Sequence, residues 1–241
     1  MKLHLVHVEE PDHDGHAPGT GWVRRTWESY LLADALTREG VIIDPVKERH
    51  TRDLDFIREL DIVLRYSVET HVHADHVTGS GAMREATGAQ VVTGAATGLE
   101  CSDILIGNSE QLVFGNEVLT AIATPGHTDG CTSFRWRDRL FTGDTLLINA
   151  CGRTDFQQGD PARLYDSIHH LFAHPEETLV FPGHDYEGRR VSSIGQEKAL
   201  NPRLAGKSKE EFVQIMNALD LPYPRRIDTA LPANQACGRA A

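Results

Sequence analysis

The 241-residue sequence contains no run near the ~18 consecutive apolar residues of a membrane span, so none is expected. Positive charge is in the minority. With 24 basic against 35 acidic residues the formal charge is −11, which argues against a nucleic-acid backbone or an anionic membrane as the main partner. A locally basic pocket for a small anion remains compatible with that balance. Cysteine is sparse: Cys101, Cys131, Cys151 and Cys237 are scattered, with no CxxC pair. The N-terminus, Met1-Lys-Leu-His-Leu-Val-His-Val-Glu-Glu, is neither a signal peptide nor an Arg-rich, acid-poor transit sequence. In a chain of this size, reduced cytosolic thiols are therefore expected rather than a disulfide framework, and a cytoplasmic location with them. Cys131 and Cys151 are expected to be small buried residues, and Cys237 an exposed, oxidisable one. Repeats, low-complexity tracts and interdomain linkers are also missing, and 40% hydrophobic content suits one large domain with a substantial core.

What the chain does have is ligand chemistry. Thr70-His71-Val72-His73-Ala74-Asp75-His76 places three histidines and one aspartate within six positions. The preceding run, Asp61 to Val68, is apolar and β-branched and reads as a buried strand; Val77 to Gly81 reads as a loop entering a helix at Ala82. The ligands thus sit in a loop that a rigid scaffold can aim. A lone histidine is more often structural. Four imidazole and carboxylate groups in one strand-end loop suit a borderline metal such as zinc or iron.

In chain order, residues 2 to 8 alternate weakly, as a first strand does. Residues 9 to 21 are turn-forming and carry His13 and His16, whose Gly and Pro neighbours point to solvent. Tyr30 to Ala33 and Val41 to Pro45 read as strands joined by a turn at Arg38-Glu39-Gly40. Leu54 to Leu60 has helical spacing, and Gln90 to Thr93 reads as a strand. Gln111 to Ala123 reads as a hairpin turning at Gly115-Asn116, and Thr132 to Thr142 as another turning at Asp138. Asp160 to Phe172 reads as a helix, Thr178 to Phe181 as a strand, and Ser208 to Leu219 as a helix capped by Ser208.

Apolar strands therefore end in Gly or Pro plus a ligand-type residue at four places: His71, His127, Asp144 and His184. A single Gly-Asp after a strand is usually a turn. Four such ends point to one metal cleft at one edge of a sheet assembly.

The ordered set THVHADH, PGH, GD and PGH resembles the metallo-β-lactamase superfamily. That resemblance implies an α/β fold, an αββα sandwich formed as a single domain over 1-241, with 201-241 a C-terminal extension packing near the cleft. Thr70 to Gly81, PGHTDGC, FTGDTLLINACGRTDFQQGD, HDY, LNPRL and PAN-x-x-CG further resemble the persulfide dioxygenases related to the ethylmalonic encephalopathy protein. This implies one Fe(II) per chain held by His71, His127 and Asp144, with glutathione persulfide and O2 as substrates and sulfite and free thiol as products. A 2-His-1-carboxylate face leaves three positions for water, substrate sulfur and dioxygen. In dinuclear relatives His73 joins the first metal while Asp75, His76 and His184 hold a second; the resemblance implies that here these four are unfilled or stand behind the ligands, orienting His71 and Asp144 through hydrogen bonds or holding water. It also places Tyr186 and Arg225 against glutathione and implies a homodimer. Arg153 reads equally as a substrate contact or as a brace of its loop through an acid. One departure lies at Arg25 to Tyr30, where the family carries a small-hydroxyl and aromatic run; Trp27 and Glu28 are therefore candidates for altering thiol preference. The alternative is a glyoxalase II-like thioester hydrolase with two metals. A non-catalytic structural zinc site is disfavoured, because such sites usually close four positions, often with Cys.

Overall fold

The computed structural model describes residues 2–9, 26–186 and 188–239. The loop expected over residues 9 to 21, with His13 and His16, lies outside these apart from Glu9, which ends the first strand.

Two sheets face each other. One contains β1 (Lys2–Glu9), β2 (Thr26–Ala33), β3 (Glu39–Ile43), β4 (Val63–Val68), β5 (Gln90–Gly94) and β6 (Ile104–Ile106) in that order, with a later two-residue strand, His184–Asp185, paired to β2. The other runs Ser192–Ser193, Leu179–Pro182, Arg139–Gly143, Thr132–Trp136, Glu117–Ala123, Gln111–Phe114. In chain order the strands after β6 are β7 (Gln111–Phe114), β8 (Glu117–Ala123), β9 (Thr132–Trp136), β10 (Arg139–Gly143), β11 (Leu179–Pro182), β12 (His184–Asp185) and β13 (Ser192–Ser193).

The period-2 rule explains the layering. Along β2, Tyr30 and Leu32 enter the core between the sheets, where they meet Phe134, Trp136, Phe141 and Phe181. Leu31 and Ala33 point to the opposite face and are covered by α1 (His50–Glu59) and α2 (Ser80–Thr87) through Leu54, Ile57 and Met83. The second sheet's outer face, including Ile122, Leu140 and Val180, packs on α3 (Pro161–Leu171) and α5 (Lys209–Asn217). The result is the αββα order of layers. Two further helices, α4 (Ile194–Leu200) and α6 (Ile227–Gln235), complete the chain.

Helix starts follow their sequence signals. Asp160 accepts from the amides of Ala162 and Arg163 ahead of Pro161, and Ser208 forms a reciprocal capping box with Glu211. Two expectations require correction. The first turn lies at Asp34 to Arg38 rather than Arg38 to Gly40, because Glu39 and Gly40 already pair within β3. The cysteines are not all reduced thiols: Cys101 and Cys237 form a disulfide, and Cys237 is buried. Only Cys131 and Cys151 are free, both buried as expected.

Asp34 ties that first turn to the other sheet. Its carboxylate accepts from the Leu36 amide (2.9 Å) and from the backbone and side-chain amides of Asn116 (2.7 Å each), at the β7–β8 turn. These amide bonds, with a smaller opposing contribution from burial, lower its pKa from 3.8 to about 2. A carboxylate depressed on folding stabilises above its unfolded pKa and loses that contribution as pH falls through its folded value. Asp34→Ala is expected to lower the urea midpoint at pH 7. The gap from the unsubstituted chain should narrow as the pH is taken from 3.8 towards about 2. A gap independent of pH would contradict this.

Candidate metal centre

The four ligand-bearing strand ends meet at one edge of the two sheets. His71 follows β4, His127 follows β8, Asp144 follows β10 and His184 follows β11. The ends are stitched by backbone bonds: Thr132 N–H donates to Thr70 O (2.8 Å), and Gly183 N–H donates to Gly143 O (2.8 Å). Tight packing leaves no room for side chains at two of these corners. A Cβ on Gly143 would strike Thr70 Oγ1, and one on Gly183 would meet Asp144 Oδ1 at 2.8 Å.

His71, His127 and Asp144 each present one ligand atom, and the three atoms lie within 4.8 Å of one another. The hydrogen bonds behind them set which nitrogens are free. His127 Nδ1 lies 2.6 Å from the Arg153 carbonyl oxygen, which can only accept, so Nδ1 carries the proton. That leaves Nε2 as the nitrogen turned to Asp144 Oδ2, at 3.6 Å. Thr70 Oγ1 gives its single proton to Asp44 Oδ2 (2.8 Å) and so accepts from His71 Nδ1 (3.0 Å). His71 is likewise held at Nδ1, which leaves Nε2. Burial, then the neighbouring His73 and His127, push the His71 pKa well below 6.5, keeping it neutral. Asp144 Oδ1 is buried with no hydrogen-bond partner. Two imidazoles held at Nδ1, with Nε2 turned to the same point, and a carboxylate with an unsatisfied oxygen fit a divalent transition metal.

The other candidates gather beside this trio. His184 Nε2 lies 3.3 Å from Asp75 Oδ2 and 3.5 Å from Asp144 Oδ2, bridging the two carboxylates. His73, Asp75 and His76 form a second ligand-type group. Burial would raise the Asp75 pKa, but His76, His184 and His73 outweigh it and hold it well below the usual range. His73 is drawn the other way, with Nε2 3.2 Å from Asp44 Oδ1 and 3.3 Å from Glu69 Oε2. Burial disfavours its charge, yet these carboxylates prevail and hold its pKa well above 6.5. Asp44 and Glu69 are buried parts of the site that sequence reading missed.

Arg153 takes the bracing role. Its guanidinium binds Asp155 at both oxygens (2.7 Å each), donates to Pro222 O (2.8 Å) and lies over the Phe156 ring. The surrounding CGRTDFQQGD segment backs the ligands throughout. Gly152 N–H donates to Asp144 O (2.7 Å), Gln157 Nε2 donates to Val72 O (2.7 Å), and a Cβ on Gly152 would strike Asp144 O and the His127 ring. Asn201 and Arg203, from LNPRL, donate in turn to the carbonyls of Ala150 and Cys151. Tyr186 stacks on His184, with ring centroids 5.7 Å apart. Trp27 faces His76 at 5.3 Å, and Arg226 lies over Trp27 while pairing with Glu48. Arg225 is exposed, and Arg226 brings its segment to the rim.

Residues 28–184 match the metallo-beta-lactamase superfamily model. The chain belongs to the metallo-β-lactamase superfamily. Among its relatives is the human protein named persulfide dioxygenase ETHE1, mitochondrial, 49% identical over 214 residues, or 87% of this chain and 84% of that one. The crystal structure of ETHE1 from Myxococcus xanthus superposes with a TM-score of 0.86 at 51% identity, covering 88% of this chain and 95% of that one. A hydroxyacylglutathione hydrolase from Cereibacter sphaeroides is 34% identical, over 66% of this chain and 62% of its own. The superfamily fold implied by the sequence is the fold observed.

Thr70→Val removes the hydroxyl between His71 and Asp44. It is expected to weaken metal binding to the apoprotein by about 10–100-fold in a chelator competition. Unchanged affinity would show that the relay does not orient His71.

Proposed function

We propose that this protein is an iron(II) persulfide dioxygenase acting on glutathione persulfide or a related low-molecular-weight persulfide. The observation that carries the reading is the convergence of His71, His127 and Asp144 into a three-ligand, 2-His-1-carboxylate group. The similarity to proteins named persulfide dioxygenase over 87% of the chain supports it. Three protein ligands are the donor set of non-haem iron oxygenases and leave positions open for exogenous ligands. The net reaction is persulfide plus dioxygen plus water giving thiol plus sulfite. Both oxygen atoms and one water oxygen end on the terminal sulfur, and the S–S bond breaks to return the thiol.

Ferrous iron, when bound, supplies the redox chemistry that zinc lacks. The protein does the rest. Asp44, through Thr70, and the Arg153 carbonyl hold the Nδ1 side of both histidines and turn Nε2 to the metal position. His184, between Asp75 and Asp144, is placed to accept or return a proton at Nε2. Tyr186 and the Arg225 segment stand at the rim, where a glutathione moiety with two carboxylates needs donors; Trp27 and Glu28 lie on β2 beside His76 and His184.

A second reading rests on the retention of His73, Asp75, His76 and His184, with both His76 ring nitrogens lacking hydrogen-bond partners. Such a set suits a dinuclear thioester hydrolase. The attraction of His73 towards Asp44 and Glu69 disfavours it.

Protein purified anaerobically is expected to hold about one iron per chain, consume oxygen with glutathione persulfide and release sulfite. His127→Ala should abolish uptake. Two zincs per chain, no uptake and cleavage of a glutathione thioester would contradict the reading and favour the hydrolase.

A further inference from the structure

The C-terminal helix α6 carries no metal-ligand residue, yet one of its side chains grips the ligand loop. Asn234 is buried, and its amide is used at both ends. Nδ2 donates to the carbonyls of His73 (2.8 Å) and His76 (2.8 Å), and Oδ1 accepts from the Thr78 amide (2.8 Å). An amide has two N–H donors and one carbonyl, so this geometry spends both protons on the loop. It pins the peptide planes after His73 and His76, in the irregular segment between His71 and α2. Loops without ladder hydrogen bonds need such external partners to hold one conformation.

Several contacts hold α6 against this loop. Cys237, three residues after Asn234, is joined to Cys101 in the turn between β5 and β6, 136 positions away in sequence. The Cys237 carbonyl accepts from Gly81 N–H (2.9 Å), at the start of α2. Lys47 Nζ donates to Gly238 O (2.6 Å). The fit is close: a Cβ on Gly81 would meet Cys237 O at 2.5 Å, and one on Gly238 would strike Thr78 O.

We propose that Asn234 is a positioning residue for the metal centre, setting the backbone of the ligand loop from behind, with the Cys101–Cys237 disulfide anchoring the helix that carries it. This rests on the reading of His71, His127 and Asp144 as the metal ligands. Asn234 touches no ligand side chain; it acts through the carbonyls of His73 and His76 and the amide of Thr78.

The test titrates the apoprotein with Co(II) under nitrogen and follows the visible absorption of the bound ion. Hydrogen exchange at the Thr78 amide is measured in parallel. Asn234→Ala removes all three bonds. Asn234→Asp keeps an acceptor for Thr78 but has no proton for the two carbonyls. Both are expected to weaken Co(II) binding by about 10–100-fold and to alter the spectrum of the bound ion. Only Asn234→Ala should also speed exchange at Thr78. A purely structural residue would lower apoprotein stability and leave the spectrum of the bound ion unchanged. Should Asn234→Ala fail to fold, Asn234→Asp carries the same test. Cys101→Ser, which leaves Asn234 in place, is expected to speed Thr78 exchange about tenfold; unchanged exchange overturns the anchoring role of the disulfide. Wild-type affinity and spectrum in the Asn234 variants, with Co(II) binding lost in His71→Ala, overturn the positioning role alone. Wild-type binding in His71→Ala overturns the ligand reading beneath it, and the proposal with it.

Discussion

The candidate metal centre depends on one buried carboxylate. Asp44 sits at the end of β3 in a left-handed conformation (φ 48°), and its amide donates to Val68 O (2.8 Å) at the end of β4. From there it accepts from both the amide and the hydroxyl of Thr70 (2.7 and 2.8 Å) and draws in His73. A carboxylate removed from water is costly unless its oxygens are fully engaged. Here that engagement does three things together. It fixes where the ligand loop leaves the sheet, determines which nitrogen of His71 is free, and holds His73 by its Nε2. Local strain at Asp44 is tolerated because these contacts over-determine it.

The candidate site is correspondingly one-sided. Chain segments with no ligand of their own support the ligands from behind: CGRTDFQQGD through Arg153 O and Gln157, LNPRL through Asn201 and Arg203, and α6 through Asn234. The side chains at the rim are Tyr186, Trp27 and the Arg225–Arg226 segment. One fold can host different functions, and it is the site grafted on it that decides among them.

Much of this was legible in the sequence, and the parts that were not share a cause. The apolar runs Tyr30 to Ala33 and Val41 to Ile43 were readable as strands, and in the fold their successive side chains are buried on opposite faces of the sheet. Ser208 and Asp160 announced their helices through local capping. The convergence of the candidate ligands was readable because each follows an apolar strand. By contrast, Asp44 and Asn234 act through partners brought together by the fold, Asn234 and Thr78 lying 156 positions apart. The Cys101–Cys237 bridge was invisible for the same reason, and reading spacing alone pointed to free thiols. Arg153 shows an intermediate case: its neighbouring acid, Asp155, was in view, but the service of its carbonyl to His127 was not.

The central claim is that a single metal is held by His71, His127 and Asp144 while the neighbouring ligand-type residues hold none. Anomalous scattering from crystals of anaerobically purified protein, recorded on both sides of the iron absorption edge, tests this most directly. The account predicts one iron peak per chain, bounded by those three side chains, and no peak among His73, Asp75, His76 and His184. A second metal peak in that group, or a site that scatters as zinc alone, would contradict it.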